Sequence, residues 1–155
     1  MITQLSHLNP EQQRQVLSLI ASATDSDGVP PVSEHVLLHL RHGGDKADTH
    51  FVVTTNNEVI GYAHLDLTDQ VEGPSAELVV HPKHRKSGIG QSLIKELQSA
   101  AGATLRLWSH GDLPGAKNIA ERSGFSRART VIQMRRSLND PIPELSKVIQ
   151  IRNFL

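Results

Sequence analysis

Apolar positions change their period several times along the chain, and each change predicts an element. Residues 2–8 make a weak first strand, because Ile2, Leu5 and Leu8 alternate poorly. Asn9-Pro10-Glu11 then opens a helix: asparagine is a good N-cap, and proline suits the first helical position. Val16, Leu17 and Ile20 form its apolar stripe, which ends near Asp27-Gly28. After the break at Pro30-Pro31, Ser33-Glu34 begins a second helix with Val36, Leu37 and Leu40 inward and Gly43-Gly44 as its stop. Phe51 to Thr54 and Val59 to Leu67 read as two strands of a hairpin around Asn56-Asn57-Glu58. A polar loop over 68–75 leads to the apolar run Ala76-Glu77-Leu78-Val79-Val80, and Ile89, Leu93, Ile94, Leu97 and Ala101 return to helical spacing before Gly102. A strand over 104–109, a short helix from Pro114 to Arg122 and a last strand containing Val131 to Met134 complete the pattern. The order β-α-α-β-β-β-α-β-α-β predicts an α/β fold with a mixed central sheet flanked by helices.

One junction in that pattern carries candidate chemistry. Val79-Val80-His81-Pro82 ends a short buried strand, Lys83 to Ser87 make a basic turn, and Gly88-Ile89-Gly90 opens the next helix. The first N–H groups of a helix lack intrahelical partners, and the macrodipole adds partial positive charge at the same end. A phosphate or pyrophosphate supplies the missing acceptors. Gly88 and Gly90 have no Cβ to hold a ligand off the main chain, and Arg85 and Lys86 add full charges. The spacing R-x-x-G-x-G has too few glycines for the dinucleotide pattern G-x-G-x-x-G, and no Gly-Lys-Ser/Thr follows as a P-loop requires. A glycine-rich helix start that merely turns tightly is the alternative reading.

Composition narrows the partners. The 155 residues suit one domain with a real core, and 16 basic against 16 acidic residues leave no overall field calling for nucleic acid or a membrane. Aromatics are 3%, too few for base-stacking platforms. The absence of cysteine excludes a disulfide scaffold, a thiolate metal site and a cysteine nucleophile, and suits a reducing cytoplasm. Met1 to Pro10 has neither a basic nor an apolar leader region, so a cytoplasmic location is expected, and no run approaches a membrane span.

The strand, basic turn and glycine helix resemble the coenzyme A pyrophosphate loop of the GCN5-related N-acetyltransferases, and the element order over residues 1–137 resembles theirs. The resemblance implies the acyl-CoA N-acyltransferase fold, with acetyl-CoA as cosubstrate. By match, Leu78, Val79 and Val80 would hold pantetheine and the thioester through their backbone, and Arg85, Lys86, Ser87, Gly88, Ile89 and Gly90 would hold the pyrophosphate. Further segments, Asp27 to Val32, Ala76 to Pro82, Trp108 to Gly111 and Ile132 to Arg136, resemble the N-terminal half of the actinobacterial mycothiol synthase family. That likeness implies a covalently linked second domain of the same kind. It also implies acetyl transfer to the cysteinyl amine of a glucosaminyl-inositol conjugate, a small amino-thiol glycoside. Residues 1–139 would be the acetyltransferase domain, and 140–155 a linker with either the first strand of the second domain or a last strand of this one.

Family members often carry an acid tyrosine four residues before a Gly-Phe pair. Counting back from Gly124-Phe125, Ala120 stands there, and Leu113 replaces the usual asparagine at the start of that helix. The remaining candidate base is Glu77, whose other reading is a solvated or ion-paired strand residue. A positioned acid or base is worth ~10²–10⁴ in rate. An amine acceptor with a pKa of about 8 is already roughly a tenth neutral at pH 7, so the acid is the greater loss. A degenerate half is therefore expected, with two alternatives: a self-sufficient acetyltransferase for another small amine using Glu77, or a non-catalytic acyl-CoA-binding module. His81 and His110 are read as surface or capping residues near strand ends. His35, His39 and His42 share a helix face, but without cysteine or HExxH no metal is expected, only a polar face. Arg127, Arg129, Arg135 and Arg136 form a basic cluster facing a second domain or the coenzyme.

Overall fold

Side-chain capping sets where the helices begin. Asn9 accepts from the Gln12 N–H at 2.8 Å while the Gln12 side chain accepts from the Asn9 N–H at 3.0 Å, a reciprocal capping box. Helix α1, Pro10–Asp27, follows and ends at Gly28, whose φ of 72° is the left-handed conformation that glycine adopts without strain. Helix α2, Glu34–His42, starts from Ser33, whose hydroxyl accepts from the Val36 N–H, and ends at Gly43. The computed structural model describes residues 1–44, 48–102, 104–134, 137 and 139. Among them no helix is long and apolar enough to cross a membrane.

Five strands form one sheet in the order β1-β2-β3-β4-β5: β1 Ile2–Leu5, β2 Asp48–Thr55, β3 Glu58–Asp66, β4 Ser75–Val80 and β5 Arg106–Leu107. The first three contacts are antiparallel and β4–β5 is parallel. The β2–β3 turn is tight because Asn56 and Asn57 both take positive φ, 47° and 64°, as a two-residue hairpin turn demands. Helix α3, Ile89–Ala101, follows β4 through a short 3-10 turn at Pro82–His84, and helix α4, Pro114–Arg122, follows β5.

The helices cover opposite faces of the sheet. On one face Val16, Leu19, Ile20 and Ala23 of α1 and Val36 and Leu40 of α2 pack against Val52, Val59, Tyr62 and Val79. On the other, Leu93 and Leu97 of α3 pack on Phe51, Val53, Ala63 and Leu65. Each buried aliphatic side chain contributes ~1.5–3 kcal/mol, so the packed faces, more than helix propensity, hold these elements.

Three expectations change. The first strand is shorter than 2–8, and the strand over 104–109 shrinks to two residues because only Arg106 and Leu107 find partners, Ser75 and Ala76. Val131 to Met134 form no strand: Val131, Ile132 and Met134 are 67%, 75% and 90% exposed. A β pattern becomes a strand only where a ladder accepts it, and among the described residues none does. The linker and strand expected over 140–155 lie outside the described residues, as do Arg135 and Arg136.

Candidate functional site

The short pairing of β5 creates the site's main feature. The Trp108 N–H donates to the Ala76 carbonyl at 3.0 Å, and beyond it β4 keeps its pairing with β3 but has no strand on the β5 side from Glu77 to Val80. Strand alternation then decides which backbone groups face the opening. The His81 N–H donates to the Ile60 carbonyl at 2.9 Å, so Val79 and Glu77 turn their backbone groups to β3, and Leu78 and Val80 turn theirs to the open side. Of the three residues expected to hold pantetheine, Leu78 and Val80 thus present main-chain groups to the gap, and Val79 presents its own to β3. The Val80 carbonyl also accepts from Arg85 Nε at 3.2 Å.

The open edge leads directly to the start of α3. Gly88 is its N-cap with φ 87°, no side chain caps the helix, and the first intrahelical bond runs from the Ser92 N–H to the Gly88 carbonyl. The N–H groups of Ile89, Gly90 and Gln91 therefore remain for an outside acceptor, with the exposed Lys86 and Ser87 beside them. Two residues of the loop also make contacts that the sequence did not suggest. Arg85 forms a bidentate pair with Asp27 at the end of α1, 2.7 Å on each arm, so its charge anchors the loop to α1. A Cβ on Gly90 would lie 2.7 Å from Ile119 Cδ1, the tip of an α4 side chain that would have to turn aside.

Glu77 is buried on the α1/α2 face at the first position of β4 beyond its pairing with β5. Its Oε2 accepts the Ser33 N–H at 2.5 Å and faces His110 Nε2 at 3.5 Å. Burial opposes its charge, but the neighbouring His110 and the Ser33 N–H outweigh burial and hold its carboxyl below the usual range. The same contact raises His110 above its ordinary value against a smaller effect of burial. The β3–β4 register runs from Ser75 to Val80 without a shift, so no bulge displaces Glu77 along the strand. Ala120, in the last turn of α4, has no proton to give, and its carbonyl accepts from the Phe125 N–H at 2.9 Å.

Of the histidines on one face of α2, His35 and His39 keep their rings 4.0 Å apart. His39 turns inward, its Nδ1 2.7 Å from Asp48 Oδ2, and His64 Nε2 lies 3.2 Å from Asp48 Oδ1. These donor atoms lie within 4.8 Å of one another. His50 bonds the Tyr62 hydroxyl at 2.8 Å, and burial with the neighbouring His64 pushes it down to about 4. The sequence missed this cluster because Asp48, His50 and His64 sit at alternate strand positions of otherwise apolar runs, with no spacing signature. His81 instead caps the 3-10 turn, accepting from the Lys83 N–H. Of the basic cluster, Arg127 pairs with Asp112, and Arg129 stacks over Trp108 at 5.2 Å.

Residues 46–127 match the family model described as acetyltransferase (GNAT) domain. A mycothiol acetyltransferase of Acidothermus cellulolyticus is 47% identical over 152 residues, covering 95% of this chain and 46% of that protein. One of Streptosporangium roseum is 44% identical, covering 95% of this chain and 44% of the relative. The chain thus spans about half the length of the curated relatives it matches. Among solved structures, the aminoglycoside N-acetyltransferase AAC(6')-Iy in complex with CoA superposes with a TM-score of 0.61 at 18% identity, over 88% of this chain and 99% of that one.

Proposed function

This chain belongs to the GNAT acetyltransferase family, and on that premise we propose that it is the acetyl-CoA-binding N-terminal domain of a two-domain cytoplasmic mycothiol acetyltransferase. The supporting observation is the meeting of two backbone surfaces with free groups: the open edge of β4, where Leu78 and the Val80 N–H face the gap, and the uncapped start of α3 at Gly88 to Gln91. A pantetheine arm is an extended chain of amides and completes such an edge as a missing strand would, while a pyrophosphate satisfies the helix N–H groups. In this reading the whole protein acetylates the cysteinyl amine of a glucosaminyl-inositol conjugate. Residues 1–139 form this half, and 140–155 join it to a second acetyltransferase domain. Ala120 leaves this half without the acid that would protonate the departing thiolate, so its own turnover is slow and the greater part of the chemistry belongs to the other half.

Calorimetric titration with acetyl-CoA tests the reading. Saturable binding by the 155-residue chain is expected, and Ser87→Asp should abolish it by placing a carboxylate where the pyrophosphate sits, without loss of helix stability. Absence of binding by the folded chain would reduce the loop to a structural turn. Ala120→Tyr should raise any measurable transfer, and robust transfer by the unaltered chain would sink the degenerate reading. One observation favours a second reading, a self-sufficient acetyltransferase: the acceptor side of the gap holds an assembled Glu77–His110 pair.

A further inference from the structure

The geometry points to a binding site for a divalent transition metal, zinc foremost, formed by His39, Asp48 and His64. It is separate from the acetyl-CoA gap, and the inference does not rest on the acetyl-CoA reading.

The three side chains come from three elements, α2, β2 and β3. Asp48 and His64 share strand parity with Val52 and Tyr62, so they lie on the sheet face that α1 and α2 cover. Their side chains are 2% exposed and that of His39 is 15% exposed. Polar groups at that depth need partners. His39 Nδ1 is 2.7 Å from Asp48 Oδ2, a hydrogen bond. His64 Nε2 is 3.2 Å from Asp48 Oδ1 without hydrogen-bond geometry, and among the described residues this buried nitrogen has no hydrogen-bond partner. A buried ring nitrogen left so is costly. A cation between the three groups removes the cost, because it takes a lone pair from each imidazole and balances the carboxylate charge.

The spacing suits such an ion. The three donor atoms lie within 4.8 Å of one another. Ligands about 2.0–2.2 Å from a tetrahedral zinc stand about 3.3 Å apart, so the set is already near the arrangement that zinc needs. The backbone leaves room for the carboxylate, since a Cβ on Gly44 would lie 2.1 Å from Asp48 Oδ2. A cleft of about 230 Å³, lined by His7, Gln13, His39, Gly43 and His50, reaches the cluster from the side of β1 and β2, away from the open edge of β4. It gives the ion, and a water as fourth ligand, a way in. Two imidazoles and one carboxylate suit zinc and its neighbours, whereas magnesium and calcium take mostly oxygen. The ion's role follows from what it joins: it fastens α2 to two strands of the sheet. Spacing along the chain could not reveal the site, because the helix supplies one ligand and the strands the other two.

The test uses the 155-residue chain, stripped of metal by a chelator and titrated with zinc sulfate by calorimetry. One equivalent should bind, and cobalt in its place should show the strong visible absorption of a tetrahedral site. Asp48→Asn and His39→Gln should each weaken zinc binding by more than about 100-fold, since even a group that only orients a metal ligand is worth ~10–100-fold. His42→Gln, at the exposed end of α2, should leave it unchanged. Zinc should raise the urea midpoint of the wild-type chain but not that of His39→Gln. No zinc binding by the folded wild-type chain, or binding that survives both substitutions, overturns the site. Circular dichroism shows whether each variant folds. Should either fail, cadmium NMR of the wild-type chain decides: coupling from the ion to the rings of His39 and His64 supports the site, and coupling to other histidines or to none overturns it.

Discussion

Gly90 illustrates how a single missing atom is assigned its purpose. An alanine in an open helix position is ordinarily better than glycine by ~1 kcal/mol. Here any larger side chain meets Ile119, with Val80 and Leu78 behind it. Gly90→Val should therefore destabilise by about 1–3 kcal/mol, and Ile119→Ala in the same chain should return part of that, as denaturation midpoints of the single and double variants would read. His50 sets a pH dependence at the same scale. Its folded value of about 4 lies below the 6.5 of an unperturbed histidine, so between those pH values the unfolded chain holds a proton that the folded chain lacks. Stability falls as pH drops through that window, by roughly 2 kcal/mol at pH 5, and the similarly depressed His64 acts in the same direction. Urea midpoints at pH 7 and 5 should show this loss, and His50→Gln should flatten it. A loss of equal size in His50→Gln would place the dependence elsewhere.

Among the elements, the junction of α1, β4 and α3 is tied by a few directed bonds. Arg85 joins the Asp27 carboxylate and the Val80 carbonyl, so the loop preceding α3 is fastened to both α1 and the strand edge. The pair is partly exposed, and Asp27→Asn should cost at most about 1 kcal/mol in stability. Its larger effect should fall on acetyl-CoA affinity, because the loop presents its N–H groups only in one shape. Equal affinity in the two proteins by calorimetry would leave the tie without a functional role. The caps are visible in the sequence as Asn9-Pro10 and Ser33-Glu34, and both helices begin there. The pattern over 104–109 was equally regular, yet only two residues became β5, because strand extent is set by the neighbour and not by the segment.

At the scale of the molecule, a stretch of apolar side chains among the described residues is exposed. Val131, Ile132 and Met134 are largely exposed, and the relatives that match this chain are about twice its length. Ile132→Ser should change the stability of the 155-residue chain by less than about 0.5 kcal/mol. It should also reduce self-association measured by sedimentation velocity. A larger destabilisation would mean that Ile132 packs against the domain in solution.

Periodicity, caps and turn residues, all local properties, determined the element order from β1 to α4, the two-faced burial of the sheet and the glycine start of α3. The resemblance carried by residues 76–90 led to the family for the same reason: backbone recognition of an anion needs residues that are neighbours in the chain. Partnerships between distant residues were decided by the tertiary structure alone. It paired Arg85 with Asp27, 58 residues away, and set Gly90 against Ile119. It made Glu77 a partner of Ser33 and His110, and drew His39, Asp48 and His64 into one buried cluster. No spacing in the sequence encodes these contacts, because each depends on how far β5 pairs along β4 and on how closely the two layers of helices approach the sheet.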